Sequence, residues 1–222
     1  MALNSTQIII LTELAKSPLR ERFYWTGGTL LAEKYLQHRH SHDVDLFSDQ
    51  PFRYEEVFPL VQAVKNAGEL TKIEEKKVFD RWEFFIHNHR EVRCEFVHYD
   101  FKPLKPRKKW RGVLVDSLDD LSANKTRAAL DRREPKDVVD IYFLMTKKKM
   151  SLAKLLRLAN KKFGVQTNPS ALLGQLVSNC RLLMNMRPLL LGAGQKQDDL
   201  VEKIQKYFKR LSADFVRRQL RP

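Results

Sequence analysis

The sequence is poor in cysteine, with 2 in 222 residues. Cys94 and Cys180 form no close-spaced metal pair and no disulfide framework, which excludes a disulfide-stapled secreted scaffold. Cys94 lies in an alternating stretch and reads as a small core residue. A reducing cytoplasm is the expected compartment. Long hydrophobic runs are also missing. Ile8-Ile9-Ile10-Leu11 and Leu189-Leu190-Leu191 are the longest, far short of the roughly 20 apolar residues that a membrane span needs. Met1 to Thr6 carries no basic n-region and no small-residue cleavage site follows, so no signal peptide is expected. Internal repeats and long low-complexity tracts are absent too.

What is present suffices for a core and carries an excess of one charge. Apolar residues make up 43%, with 13 Phe and 3 Trp, and the formal net charge is +14. That charge favours anionic partners such as nucleic acid or nucleotides, beside the plainer reading of ordinary solubility. The cations are unevenly spread. Residues 102–111 read Lys-Pro-Leu-Lys-Pro-Arg-Lys-Lys-Trp-Arg, and the chain from Lys147 onward is basic, whereas the surroundings of Asp43 and Asp45 are locally acidic. A polyanion gripped at the periphery would bring its end to those carboxylates.

Periodicity divides the chain in two. Ser5 to Ala15 predicts a helix with Ile8, Leu11 and Leu14 as its apolar stripe, stopped by Pro18. Phe23 to Thr26 reads as a short aromatic strand, Leu30 to Gln37 as a helix, Asp43 to Phe47 as a strand and Arg53 to Ala67 as a helix. Strands follow over residues 70–79, 82–87 and 92–99, the last two joined by a tight turn at Asn88-His89. Residues 102–112 read as a Pro-interrupted basic loop. From Ser117, a good N-cap with Asp120 placed for a capping box, the pattern becomes helical: residues 118–130, 135–146, 151–161, 169–184 and 198–220. The expectation is an α/β part over 1–115 followed by an all-helical part over 116–222.

Asp43 and Asp45 are the most informative pair. In Asp43-Val44-Asp45-Leu46-Phe47 the polar and apolar residues alternate, and residues i and i+2 of a strand share a side. Two carboxylates held that close repel unless a cation holds them, and paired Mg²⁺ ions serve phosphoryl and nucleotidyl transfer this way. Gly27-Gly28-Thr29 stands one helix earlier. Such a turn lets a phosphate approach the backbone, and the helix after it offers free N–H groups. Alone the glycines read as a plain turn, and the carboxylate strand one helix later is what favours the phosphate reading. Glu95, on the strand face shared by Glu91, Arg93 and Glu95, is the candidate third metal carboxylate, against the alternative of a solvated strand face.

Three further features ask for a role. All six histidines fall between His38 and His98. His38-x-His40-x-His42 resembles a metal tract, but zinc would need a fourth ligand and fixed geometry, so solvated loop histidines are the expectation; His87 and His89 read as exposed. Lys125 precedes Arg132-Arg133-Glu134-Pro135-Lys136-Asp137-Val138-Val139-Asp140, where Asp137 and Asp140 share a helix face. A basic group over a nucleotide and an Asp general base form one reading, the latter requiring a raised pKa; an inter-helix salt-bridge cluster is the other. The loop residues Lys105, Arg107, Lys108, Lys109, Trp110 and Arg111 mix cations with an aromatic ring, as RNA-binding loops do, or form a solvated linker.

Residues 23–31, then Arg39-x-Ser41-x-Asp43-x-Asp45-Leu46-Phe47, resemble the nucleotide-binding motif of the DNA polymerase β-like nucleotidyltransferases. With Lys125 and Arg-Arg-Glu-Pro-Lys-Asp-x-x-Asp, the chain resembles the nucleotidyltransferase AbiEii/AbiGii toxin family over residues 20 to 146. The resemblance implies an α+β fold, a polymerase β-like domain with a mixed sheet flanked by helices and a helical C-terminal domain. It implies catalytic roles for Asp43, Asp45, Lys125 and Asp137, and nucleotide binding by Gly27, Gly28, Thr29, Arg39, Ser41 and Lys125. Two Mg²⁺ would be held by Asp43, Asp45 and, by position only, Glu95. The implied activity moves a nucleoside monophosphate from an NTP to RNA, a tRNA 3′ end, with an antitoxin protein as partner. The rival expectations are a non-catalytic nucleic-acid-binding or regulatory protein on the same fold, and a nucleotidyltransferase with a protein or small-molecule acceptor.

Overall fold

The computed structural model describes residues 3–70, 72–87 and 91–220. The turn expected at Asn88-His89 lies outside the described residues. Two compact units emerge, one of residues 3–37 and 41–121, the other of residues 38–40 and 122–220. The unit changes after Leu121, inside a helix.

The first unit opens with α1 (Ser5–Lys16). Asn4 caps it by accepting the Gln7 N–H at 2.8 Å while the Gln7 side chain accepts the Asn4 N–H at 3.0 Å, a reciprocal pairing that satisfies two orphan donors. Pro18 opens a short 3₁₀ turn over Pro18–Glu21. Strand β1 (Tyr24–Thr26) runs straight into α2, helical from Gly27 to Leu30 and π-wound over Leu31–Leu36. This helix therefore starts three residues before its expected start, at the glycines themselves. Next come β2 (Val44–Ser48), α3 (Tyr54–Ala67), β3 (Ile73–Val78), β4 (Arg81–Ile86) and β5 (Val92–His98). The basic loop expected over 102–112 holds one short strand, β6 (Lys108–Trp110), and a second, β7 (Val113–Val115), follows directly after it.

All seven strands form one mixed sheet in the order β3-β4-β5-β2-β1-β7-β6. β2 pairs parallel with β5 and antiparallel with β1; β7 pairs parallel with β1. Strand alternation sorts the side chains. Phe84, Ile86, Cys94 and Phe96 meet Ile10 of α1 and Leu60, Val61 and Val64 of α3 in an apolar layer. Their neighbours Glu83, Glu95 and Asp45 come abreast on the other face, since Glu83 pairs with Glu95 and Glu95 with Asp45.

The second unit takes most of α4 (Leu118–Asp131), then α5 (Pro135–Thr146), α6 (Leu152–Phe163), α7 (Pro169–Asn179), a 3₁₀ stretch over Cys180–Leu189 and α8 (Gln195–Gln219). Pro135 occupies the first turn of α5 as expected, where its missing N–H costs nothing. The helix expected over 169–184 ends at Asn179, and the 3₁₀ stretch that follows contains Pro188. Leu155, Leu172, Leu176, Leu183, Ile204 and Phe208 are fully buried and form the core of this unit. Among the described residues no helix is long and apolar enough to cross a membrane.

Candidate active site

The junction of β1 and α2 decides the geometry. Gly27 has φ +78°, and a Cβ built on it would lie 1.6 Å from Asp45 Oδ2. Both the left-handed backbone and the contact require glycine. Asp45 is opposite Thr26 in the β1–β2 register, so the carboxylate strand is pressed against the start of α2. Thr29 fixes the approach to that strand: its hydroxyl donates to the Asp43 carbonyl and lies 3.0 Å from Ser41 Oγ. Gln7 Nε2 donates to the carbonyls of Ser41 and His42 at 3.0 and 2.9 Å. Thr29 and Ser41, expected to touch a nucleotide, thus also shape the backbone that carries Asp43.

Four carboxylates gather across three strands. Arg93 Nη2 donates to Asp43 Oδ2 at 2.9 Å, and Arg93 Nη1 lies 2.8 Å from Glu95 Oε1 and 4.0 Å from Glu83 Oε1. Arg81 Nε pairs with Glu83 Oε1 at 3.0 Å. Burial, then the Asp45 charge, pushes the Glu95 carboxyl up to about 7 against the pull of Arg93 and Arg81, with Glu83 adding to the rise. Burial draws the Arg93 guanidinium down, and Asp43, Glu95 and Asp45 more than offset it, so its pKa rises. The site carries more negative charge than its two guanidinium groups neutralise. Among the described residues no three His, Cys, Asp or Glu side chains stand in a metal-holding cluster; Arg93 is the cation that spans Asp43 and Glu95. The donor set nevertheless suits a hard divalent cation: carboxylate oxygens, surplus negative charge, and Asp43 with a side chain 36% exposed.

Lys125, Asp137 and Asp140 lie in the second unit. Lys125 Nζ is 3.0 Å from Asp137 Oδ1 and 2.8 Å from Asp140 Oδ2. Arg132 Nε donates to Asp137 Oδ2 at 2.7 Å. Arg39 grips Asp140 with both ends of its fork, Nε at 2.7 Å and Nη2 at 3.0 Å, and its Nη1 reaches the His40 carbonyl. Arg39 is 1% exposed, so the expected nucleotide ligand is instead a buried counter-ion. Burial raises the pKa of each aspartate, and the cations overcome it: Lys125 and Arg132 lower Asp137, while Arg39, Lys125 and His38 hold Asp140 well below the usual range. A lowered pKa makes Asp137 a poor proton acceptor, so the condition for a general base is not met. Burial draws Lys125 down and the two aspartates raise it.

His38 departs from the solvated loop expected of it. It is 2% exposed, its Nε2 lies 2.7 Å from Asp140 Oδ1, and its ring meets Phe143 edge-on at 5.0 Å. Its Nδ1 has no partner among the described residues. Burial lowers its pKa in spite of Asp140. Facing a carboxylate, Nε2 is the donor nitrogen of the ring. His40 and His87 are exposed; His89 lies outside the described residues.

The basic loop is less free than its composition suggests. Trp110 stacks on Trp25 at 5.6 Å and 16°, which takes one ring face away from any base. Arg107 lies 3.4 Å over the Tyr24 ring, donates to Asp49 at 2.8 Å and approaches Asp116. Lys105, Lys109 and Arg111 pair with Asp119, Glu21 and Glu33, and Lys108 is exposed. Asp120 anchors the loop from inside. Its carboxylate accepts the Ser117 hydroxyl at 2.6 Å and the Leu104 N–H at 2.8 Å, where a capping box would have it accept the Ser117 N–H.

No sequence motif marks Glu83 or Arg81, and Arg93 shares the strand face of Glu95 without a motif role. The signal for Glu83 is the break it makes in Trp82-Glu83-Phe84, an acid in an aromatic strand.

The sequence model of the family described as nucleotidyl transferase AbiEii toxin, Type IV TA system, matches residues 9–219. An uncharacterized protein of Aquifex aeolicus, aq_aa25, is 28% identical over 145 residues, 64% of this chain and 66% of that protein, just under two thirds of its length. The crystal structure of JHP933 from Helicobacter pylori superposes with a TM-score of 0.61 at 18% identity, covering 98% of this chain and 100% of that one. That likeness concerns the fold.

Proposed function

Because the chain belongs to the AbiEii nucleotidyl transferase toxin family, we propose that it moves a nucleoside monophosphate from an NTP to a hydroxyl of RNA, a tRNA 3′ end, as the toxin of a toxin–antitoxin pair. The observation that carries this reading is the contact of Asp45 with Gly27, whose missing Cβ leaves the room that Asp45 Oδ2 takes. It sets a carboxylate beside the turn that opens α2. Asp43, Asp45 and Glu95 would hold two Mg²⁺, which supply charge neutralisation and a lowered pKa for the attacking hydroxyl.

The chain's own residues do the positioning. The Gly27-Gly28 backbone admits the triphosphate, and the first N–H groups of α2 face it. Thr29 and Gln7 hold the backbone around Ser41 and Asp43 still. The acceptor hydroxyl gives up its proton to solvent as its oxygen attacks the α-phosphorus, a P–O bond forms, the bond from the α-phosphorus to the bridging oxygen breaks, and pyrophosphate leaves with that oxygen. Little covalent work falls to the protein; placement and electrostatics do most of it. In the second unit Lys125, Asp137, Arg39 and Asp140 act through charge pairing that holds the helices. A cognate antitoxin is the protein partner this reading requires.

The test incubates the protein with each labelled NTP, Mg²⁺ and total tRNA. Label on tRNA from wild type and none from Asp45→Ala is the expected result. Equal label from both would reject the mechanism, and label on protein or on a small molecule would move the acceptor to the rival classes.

A further inference from the structure

The positive charge of this chain sits on one half of it. Residues 122–222 hold 22 Lys and Arg against 8 Asp and Glu, whereas residues 1–121 hold 19 of each, so the whole excess of 14 belongs to the C-terminal half. Within it, residues 141–197 contain not one acid and carry ten Lys and Arg. At the chain's average of 27 acids in 222 residues, about seven would fall there. Such exclusion removes repulsion toward a polyanion over a whole surface.

The acid-free stretch builds a cleft of about 640 Å³ where α6 meets α7, lined among others by Arg157, Asn160, Lys161, Gln166 and Thr167. α6 buries Leu155, Leu156 and Ala159, which turns Arg157 and Lys161 outward. They stand one helical turn apart, about 6 Å along the axis, and both are exposed. Neither has an acidic partner among the described residues. Asn160 Oδ1 accepts the Thr167 N–H at 3.0 Å and Asn160 Nδ2 reaches Gln166 Oε1 at 3.3 Å, which fixes the floor between the helices. Gly164, at φ +65°, ends α6, and Asn168 caps α7 by accepting the Ser170 N–H at 2.8 Å.

We propose that this α6–α7 cleft grips the sugar-phosphate backbone of the acceptor RNA, with Arg157 and Lys161 on phosphates and the Asn160–Gln166 amides beside the ribose hydroxyls. Cations separated by amides and hydroxyls suit a chain that alternates phosphate with sugar, and the choice of RNA rests on the reading above. An acidic protein would present carboxylates without the ribose hydroxyls, and Val165, 37% exposed, is the one large apolar lining residue that is exposed, beside only the small Ala153, too little for a lipid surface.

The experiment measures fluorescence anisotropy of labelled tRNA with the full chain in EDTA, over a range of KCl concentrations. Arg157→Gln/Lys161→Gln should bind about tenfold more weakly at low salt and flatten the slope of log affinity against log salt by about 0.7–0.9 per residue. Lys203→Gln/Lys209→Gln, removing the same charge from exposed positions of α8, should stay within about twofold of wild type on the same reading. The proposal is overturned if the cleft variant matches wild type, if the α8 variant loses as much, or if poly-L-glutamate competes as well as unlabelled tRNA. DNA competing equally would remove the ribose contacts and with them the assignment to RNA. Asp45→Ala should lose transfer and keep RNA binding, so the failure of one reading leaves the other standing.

Discussion

Two carboxylate clusters, one in each unit, were both conspicuous in the sequence, and their surroundings give them opposite characters. Asp137 and Asp140 meet Lys125, Arg39, Arg132 and His38, and their pKa values fall. Asp43, Asp45, Glu83 and Glu95 meet Arg93 and Arg81, and Glu95 rises to about 7. In the first cluster each carboxylate is balanced by cations, Lys125, Arg39 and Arg132 facing Asp137 and Asp140. The second has four carboxylates against two guanidinium groups, and the proposed Mg²⁺ site rests on that deficit of positive charge.

Removing one member from each cluster should break that symmetry most visibly. Asp45→Ala should lower transfer by three orders of magnitude or more, about 4 kcal/mol, while the melting temperature holds or rises. Asp140→Ala should do the reverse at the level of folding. It leaves Arg39 buried without that carboxylate and Lys125 with Asp137 alone, a loss of about 3–5 kcal/mol, seen as an early transition in urea followed by circular dichroism. A stable Asp140→Ala protein would contradict the structural role.

Gly27→Ala sharpens the first half of the contrast. Its Cβ would fall 1.6 Å from Asp45 Oδ2 at φ +78°, so Asp45 must move; we expect a loss in kcat of roughly a hundredfold, about 3 kcal/mol, with a smaller loss in stability. Glu95→Gln should instead raise the metal-free protein's stability at pH 8 by roughly 1–2 kcal/mol, because ionising a carboxyl whose folded pKa is raised costs the folded state. The same change should weaken Mg²⁺-induced stabilisation in thermal scans.

The smallest effect is a pH dependence of the balanced cluster. Burial holds the folded pKa of His38 below its ordinary 6.5, so the unfolded chain takes the proton more readily. Its stabilising contribution is complete above 6.5 and declines as the pH falls below it. The urea midpoint should drop between pH 6.5 and 5, and His38→Gln should flatten that drop. An unchanged slope in the variant would place the titration elsewhere.

Much of this was legible because it is local. The alternation of Asp43 to Phe47 placed two carboxylates on one side, and Pro135 and Ser117 marked helix starts. What escaped depends on distant partners. β7 pairs parallel with β1, about ninety positions away in sequence, and three-residue strands in a basic stretch offer no period to read. Composition offers Trp110 to a base, but Trp25, 85 positions earlier, stacks against it. His38 and Arg39 looked like loop residues beside a phosphate turn, yet their partner Asp140 is separated by 102 and 101 positions. Glu83 needed the strand register to bring it beside Glu95.

His38 to His40 belong to the C-terminal unit although the chain returns to the other unit on either side of them. Anyone trimming this protein to a minimal catalytic piece meets a penalty from that excursion. A fragment ending near residue 121 would carry Arg39 with no aspartate to receive it, and a fragment beginning there would keep Asp140 shorn of its fork. Either cut separates the fork of Arg39 from the carboxylate it grips.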